Sequence, residues 1–151
     1  MQDFVHLHVH TQYSLLDGQA SVARLVDKAM KNGMKGIAVT DHGNMFGIKE
    51  FTNYVNKKNS GPKGEIKDLK KRIAGIEAGT VECEDKEAEI AACKAKIVEA
   101  ENKLFKPIIG CEMYVARRTM DLKEGKPDQS GYHLIVLAKN EKGYHNLIKL
   151  V

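Results

Sequence analysis

Three of the six histidines in this chain, His6, His8 and His10, alternate within one short stretch, FVHLHVHTQYSLLDG, residues 4–18. On an extended strand residues i and i+2 share a face, so the three imidazoles are expected to project the same way. Imidazole is the commonest neutral nitrogen ligand, and two of them about 7 Å apart along a strand can converge on one cation or on neighbouring cations. An isolated histidine is more often a core or surface residue with a satisfied ring. The His-x-His spacing and the Asp17 turn that follows it favour the metal-binding alternative.

Three further places put chemistry-bearing side chains at the ends of apolar runs. Thr40-Asp41-His42-Gly43 closes the run Gly36-Ile-Ala-Val, at the strand end where α/β folds keep their sites. Asp41 there is either part of a site or an ordinary helix cap. Glu112 lies inside Ile108–Val115, where a carboxylate is expensive unless it is paired or ligates a cation; both explanations stay open. Gly110 beside it allows a neighbour to approach closely, and Cys111, on the opposite face, reads as a small core residue. His133 begins the apolar run Tyr132–Ala138. His145 falls on an amphipathic helix pattern and reads as structural. The chain has no G-x-x-x-x-G-K-[ST] or G-x-G-x-x-G phosphate loop and no G-x-S-x-G nucleophile elbow. Histidines and carboxylates at strand ends remain, a set suited to several divalent cations and phosphoester hydrolysis.

These residues need a frame to hold them. Phe4–Val9 alternates as a strand does, and Ser21 caps a predicted helix carrying Val22, Leu25, Val26, Ala29 and Met30, closed by Asn32-Gly33. Strand Gly36–Thr40, helix Met45–Lys58, strands Pro107–Val115 and Tyr132–Ala138 and helix Glu141–Leu150 follow. Strands and helices in alternation predict an α/β fold with parallel strands. Residues 63–106 differ in kind. Beyond the breaker cluster Ser60-Gly-Pro-Lys-Gly64, Ile66, Leu69, Ile73 and Ile76 and then Ile90, Cys93, Ile97, Ala100 and Leu104 recur at 3–4 spacing. Ten Lys/Arg and ten Asp/Glu balance across that segment. It reads as an inserted antiparallel helical hairpin, serving either as an interaction arm or as a tolerated surface excursion.

Bulk properties narrow the classes. At 151 residues, 42% hydrophobic and 29% charged, the chain suits one globular domain. A net charge of +4 permits contact with a polyanion without announcing it, and the absence of a long apolar run or leader argues against a membrane or secreted protein. Three widely spaced cysteines, with Cys83 and Cys93 spaced unlike a zinc pair, fit free thiols in a cytoplasmic setting.

Taken together, HLHVHTQYSLLDG, IAVTDHGNMFGIKEF, KPIIGCEMYV and YHLIVLAKNEKGYHNLIKL resemble the PHP (polymerase and histidinol phosphatase) domain at the N-terminus of bacterial replicative DNA polymerase III alpha subunits. The wording SLLDG followed by TDHGNMFG is similar to the polymerase branch rather than to histidinol phosphatases. The resemblance covers residues 1–151 outside the 59–106 region and implies part of a distorted (β/α)7 barrel, truncated, around a cluster of zinc, manganese or iron. Carried over by position, the implied metal ligands are His8, His10, Asp17, His42, Glu112, which would bridge two metals, and His133. No catalytic residue separate from these ligands is implied, and His6 is expected to sit deeper, as support. The implied parent is a cytoplasmic DNA-directed DNA polymerase, working with DNA and other replisome subunits. Its PHP domain is expected to be a metal-dependent phosphoesterase or 3′–5′ proofreading exonuclease. The alternatives are a silent scaffold that stabilises the polymerase and binds partners, or a stand-alone phosphatase. The family's later ligands, a Cys or His and an Asp-x-His, and the polymerase carboxylates have no counterpart here. The chain is therefore expected to be a fragment with an incomplete cluster, inactive alone.

Overall fold

The computed structural model describes residues 4–151. They form two compact units, one from the residues up to Val55 together with Lys106–Val151, the other from Asn56–Phe105.

In the first unit, α1 (Val22–Lys31) forms where the 3–4 spacing predicts it. Ser21 caps it by accepting from the Arg24 N–H, and Val22, Val26 and Ala29 bury its apolar stripe. β1 (Gly36–Val39) is buried along its whole length. α2 (Ile48–Lys58) begins three residues later than expected, because the Asn44 side chain accepts from the Phe46 N–H and holds that stretch in a turn. β2 is the long strand, Lys106–Val115, and it is shared. Its first four residues pair with β1 in parallel, Gly36 with Lys106 through Val39 with Ile109. Its last six pair with β3 (Tyr132–Leu137) in antiparallel, Gly110 with Leu137 through Val115 with Tyr132. At the changeover a Cβ on Gly110 would lie 2.7 Å from Val136 O and 2.8 Å from the Thr40 side chain, so only glycine fits. The last helix of this unit, Glu141–Leu150, is capped by Asn140 and buries Leu147.

The mixed sheet corrects the expectation of parallel strands throughout. Between β2 and β3 the chain makes a single three-residue 3-10 turn, Lys126–Asp128, and no α-helix, so nothing carries it back for a parallel return. A second correction concerns residues 4–9, which are extended without joining the ladder. Ala38 and Thr40 donate to the carbonyls of His6 and Val9, two residues apart on one side and three on the other. That extra residue, with a bend at Leu7, interrupts the two-residue alternation.

In the second unit α3 (Ser60–Glu77) and α4 (Lys86–Asn102) run antiparallel, Glu65 facing Lys103 and Arg72 facing Glu89. All nine apolar positions of the two repeats are buried or half-buried, Ile76, Cys93, Ile97 and Ala100 most completely. Asp85 caps α4 through the Ala88 N–H. Ser60-Gly-Pro-Lys-Gly64, read from sequence as a breaker, is the first turn of α3. Pro62 stands where the helix has no partner for an N–H, so its missing donor costs nothing there. Asn59 closes the base of the unit: its amide donates to Phe105 O at 2.8 Å and accepts from Phe105 N at 2.9 Å. All three cysteines are free thiols, and among the described residues no helix is long and apolar enough to cross a membrane.

Candidate metal centre

Backbone register brings the candidate residues together. Past Val39 the β1 line resumes beside β2 as a single bridge between His42 and Glu112. The Glu112 N–H donates to Asp41 O at 3.1 Å, and the Gly43 N–H returns to Glu112 O at 2.9 Å. On β2, Glu112 and Tyr114 share a face, and His133 stands opposite Tyr114 on β3, diagonal to Glu112. The first segment joins through Thr40, whose hydroxyl accepts from the Val9 N–H at 2.9 Å while its N–H donates to Val9 O. The chain then closes a tight loop over 11–18, with the Gly18 N–H on Ser14 O at 2.7 Å. A Cβ at Gly18 would fall 1.9 Å from Thr11 O, which explains the glycine of the LLDG turn.

Glu112 is the centre of the constellation, its side chain 6% exposed. Its Oε2 faces three imidazoles, His10 Nε2 at 2.5 Å, His42 Nδ1 at 3.2 Å and His8 Nε2 at 3.3 Å. Its Oε1 faces a fourth, His133 Nδ1, at 2.8 Å. Asp17 Oδ2 is hydrogen-bonded to the other nitrogen of His10 and lies 4.0 Å from His42 Nδ1. Burial pushes the Glu112 carboxyl up, but the hydrogen bonds from His42, His8 and His10 outweigh it and hold it at about 2. The ligand atoms fall into three overlapping groups, His8–His10–Glu112, His10–Asp17–His42 and His42–Glu112–His133. Imidazole nitrogens and carboxylate oxygens clustered in this way are a donor set for zinc, manganese or iron. The contact between His8 Nε2 and His10 Nε2, 3.2 Å, puts two ring nitrogens where two ligands of one cation would stand.

Under these is a buried polar layer. The Asp41 carboxylate, 1% exposed, accepts from the Thr11 N–H at 2.6 Å, the Thr11 hydroxyl at 2.9 and 3.0 Å and the Ser14 hydroxyl at 2.7 Å. The Ser14 oxygen in turn accepts from the His42 N–H at 3.0 Å. Cys111 is fully buried, its thiol pushed up by burial and donating to Asp41 O.

The structure thus gathers all six residues named from sequence, His8, His10, Asp17, His42, Glu112 and His133. His6 is outside the ligand groups and is a correction: it is exposed and not deeper, set edge-on to Phe4 with ring centres 4.7 Å apart, where the spacing before Val9 is irregular. His145 is exposed too, 3.9 Å from Glu141 on its own helix. Sequence reasoning missed Tyr114, whose ring meets those of His42 and His133 edge-on at 4.9 and 5.2 Å; the i+2 spacing from Glu112 was the available signal. It also missed Thr11 and Ser14, for which two hydroxyls in a loop gave none.

Histidines and a buried carboxylate thus stand together at the strand ends of a mixed α/β frame. The chain belongs to the PHP domain family, whose model matches residues 6–151. Among curated proteins it is similar to the DNA polymerase III subunit alpha of Borreliella burgdorferi, 41% identical over 150 residues, and of Treponema pallidum, 39% over 148. It is similar also to that of Aquifex aeolicus, 33% over 155 residues. These matches take in 97%, 97% and 99% of this chain but only 9%, 9% and 10% of the relatives, so the chain spans about a tenth of their length.

Proposed function

We propose that this chain is the N-terminal portion of the PHP domain in a DNA-directed DNA polymerase alpha subunit, and that its six gathered residues hold a divalent-cation cluster for phosphoester hydrolysis. The observation that carries the reading is four imidazole nitrogens aimed at the two oxygens of one buried carboxylate. In this reading the three-stranded sheet belongs to the distorted (β/α)7 barrel that the resemblance implies, and DNA and other replisome subunits are the partners of the longer protein.

Each residue has a defined task in this reading. Glu112 would hold the cations together with His8, His10 and His42, which face its Oε2, and His133, which faces its Oε1. Asp17 accepts a hydrogen bond from the Nδ1–H of His10, which would leave Nε2 of that ring free for a cation. Tyr114 walls His42 and His133 and limits their rotation. When bound, divalent cations supply a water that ionises near neutral pH and offset charge on the scissile phosphate. The half-exposed side chains of His8, Asp17 and His133 leave the mouth open to a strand end.

The test is metal content and 3′–5′ exonuclease activity on single-stranded DNA of the full-length protein carrying this chain. Bound zinc, manganese or iron is expected, with activity that His8→Ala and His10→Ala remove along with the metal. Unchanged metal and unchanged nuclease activity in both variants would overturn the proposal. Metal without any nuclease activity would leave the site a structural one.

A further inference from the structure

We infer that Asp41, outside the ligand set, is the positioning residue that preorganises the cation centre; the inference rests on the metal-binding reading above. A helix cap is the ordinary use of an aspartate after a strand, but α2 begins only at Ile48, too far on for Asp41 to cap it. The residue is instead 1% exposed, and every hydrogen bond its carboxylate accepts comes from an uncharged donor. A charge buried in that way is costly, and it persists where its geometry is needed.

What it holds is the centre itself. Its side chain grips Thr11, the residue after His10. It also grips the Ser14 hydroxyl, which is thereby oriented to accept the His42 N–H. Its carbonyl accepts the Glu112 N–H. Residues 10, 42 and 112, far apart in sequence, are therefore all tied to this one residue, the first two through its side chain and the third through its backbone carbonyl. A carboxylate suits the task because it is acceptor-only: Oδ1 receives the Thr11 N–H and the Ser14 hydroxyl, and the Thr11 hydroxyl lies between both oxygens. In Asp41→Asn one of these oxygens becomes a donor facing the Thr11 hydroxyl.

The experiment uses the full-length protein with Asp41→Asn, Ser14→Ala and, as a packing control in the core of α1, Val26→Ala. Affinity for Mn2+ and Zn2+ is measured by competition with a chromophoric chelator, the visible spectrum of the Co2+-loaded protein is recorded, and thermal unfolding is followed without metal. Asp41→Asn is expected to weaken binding by about 10–100-fold, the range for groups that orient ligands, and to shift the Co2+ bands. Ser14→Ala, which removes the tie to His42 and one donor to Asp41 but leaves the grip on Thr11, is expected to move both readouts in the same direction by less. Val26→Ala is expected to lower the melting temperature and leave affinity and spectrum alone. If Asp41→Asn does not fold, Ser14→Ala decides by the same readouts. An unsubstituted protein that binds no divalent cation overturns the metal reading and this inference with it. Binding and spectrum unchanged in Asp41→Asn, or changed equally by Val26→Ala, overturn this inference alone.

Discussion

The candidate metal centre and the α3–α4 pair are held by opposite means. At the centre, three segments of chain meet through a few polar groups: Glu112 serves four imidazoles, and Asp41 serves the loop that carries His10. In the helical pair, nine apolar positions repeat one kind of contact, with exposed ion pairs such as Arg72–Glu89 outside them. The first arrangement concentrates specificity in a few atoms, and the second spreads stability over many. A change at the centre is thus expected to alter what the protein binds, and a change in the pair to alter how firmly it folds.

The comparison can be pressed from its strongest end. Glu112→Gln removes the charge that four rings share and is expected to lower cation affinity by more than about 100-fold, beyond the range for groups that only orient ligands. Competition titration measures it, and retained affinity would erase the contrast.

Acid provides the next probe. Folding holds the Glu112 carboxyl at about 2 against an ordinary 4.5, so the folded state favours the ionised form. That contribution is fully present above about pH 4.5 and is lost as pH falls toward 2. The urea midpoint of metal-free protein is expected to drop across this window, and Glu112→Gln to flatten the drop.

In the helical pair, Ile76→Ala empties a fully buried position and is expected to cost about 2–5 kcal/mol, read from chemical unfolding, with cation affinity unchanged. Last comes Arg72→Ala, which breaks a half-exposed ion pair. Its expected cost is about 0.2–1 kcal/mol, near the limit of a denaturant titration.

The same contrast governs what the sequence disclosed. Helical periodicity located α1, α3 and α4, because a stripe of apolar residues is a statement about many positions at once. His-x-His, the Asp17 turn, Asp-His, Gly-Cys-Glu and Tyr-His marked candidates, since polar groups at apolar strand ends have few ordinary uses, but it took the family resemblance to pick out the six, five of which now stand about Glu112. The direction of β3 was not legible, because it depends on how the chain between Val115 and Tyr132 returns, and that stretch has no periodicity. Ser60-Gly-Pro-Lys-Gly64 misled because glycine and proline break a helix interior and not its first turn. The true task of Asp41 was hidden as well. A buried carboxylate and a helix cap are the same letter until its partners are known.

The two hydrogen bonds between Asn59 and Phe105 have a consequence of another order. They join the two ends of the α3–α4 unit to each other, so its closure is set there and not by what lies between. Closing entropy grows only slowly with the length enclosed. A longer or shorter stretch between Asn59 and Phe105 is therefore expected to change the closing cost of the α3–α4 unit only slightly.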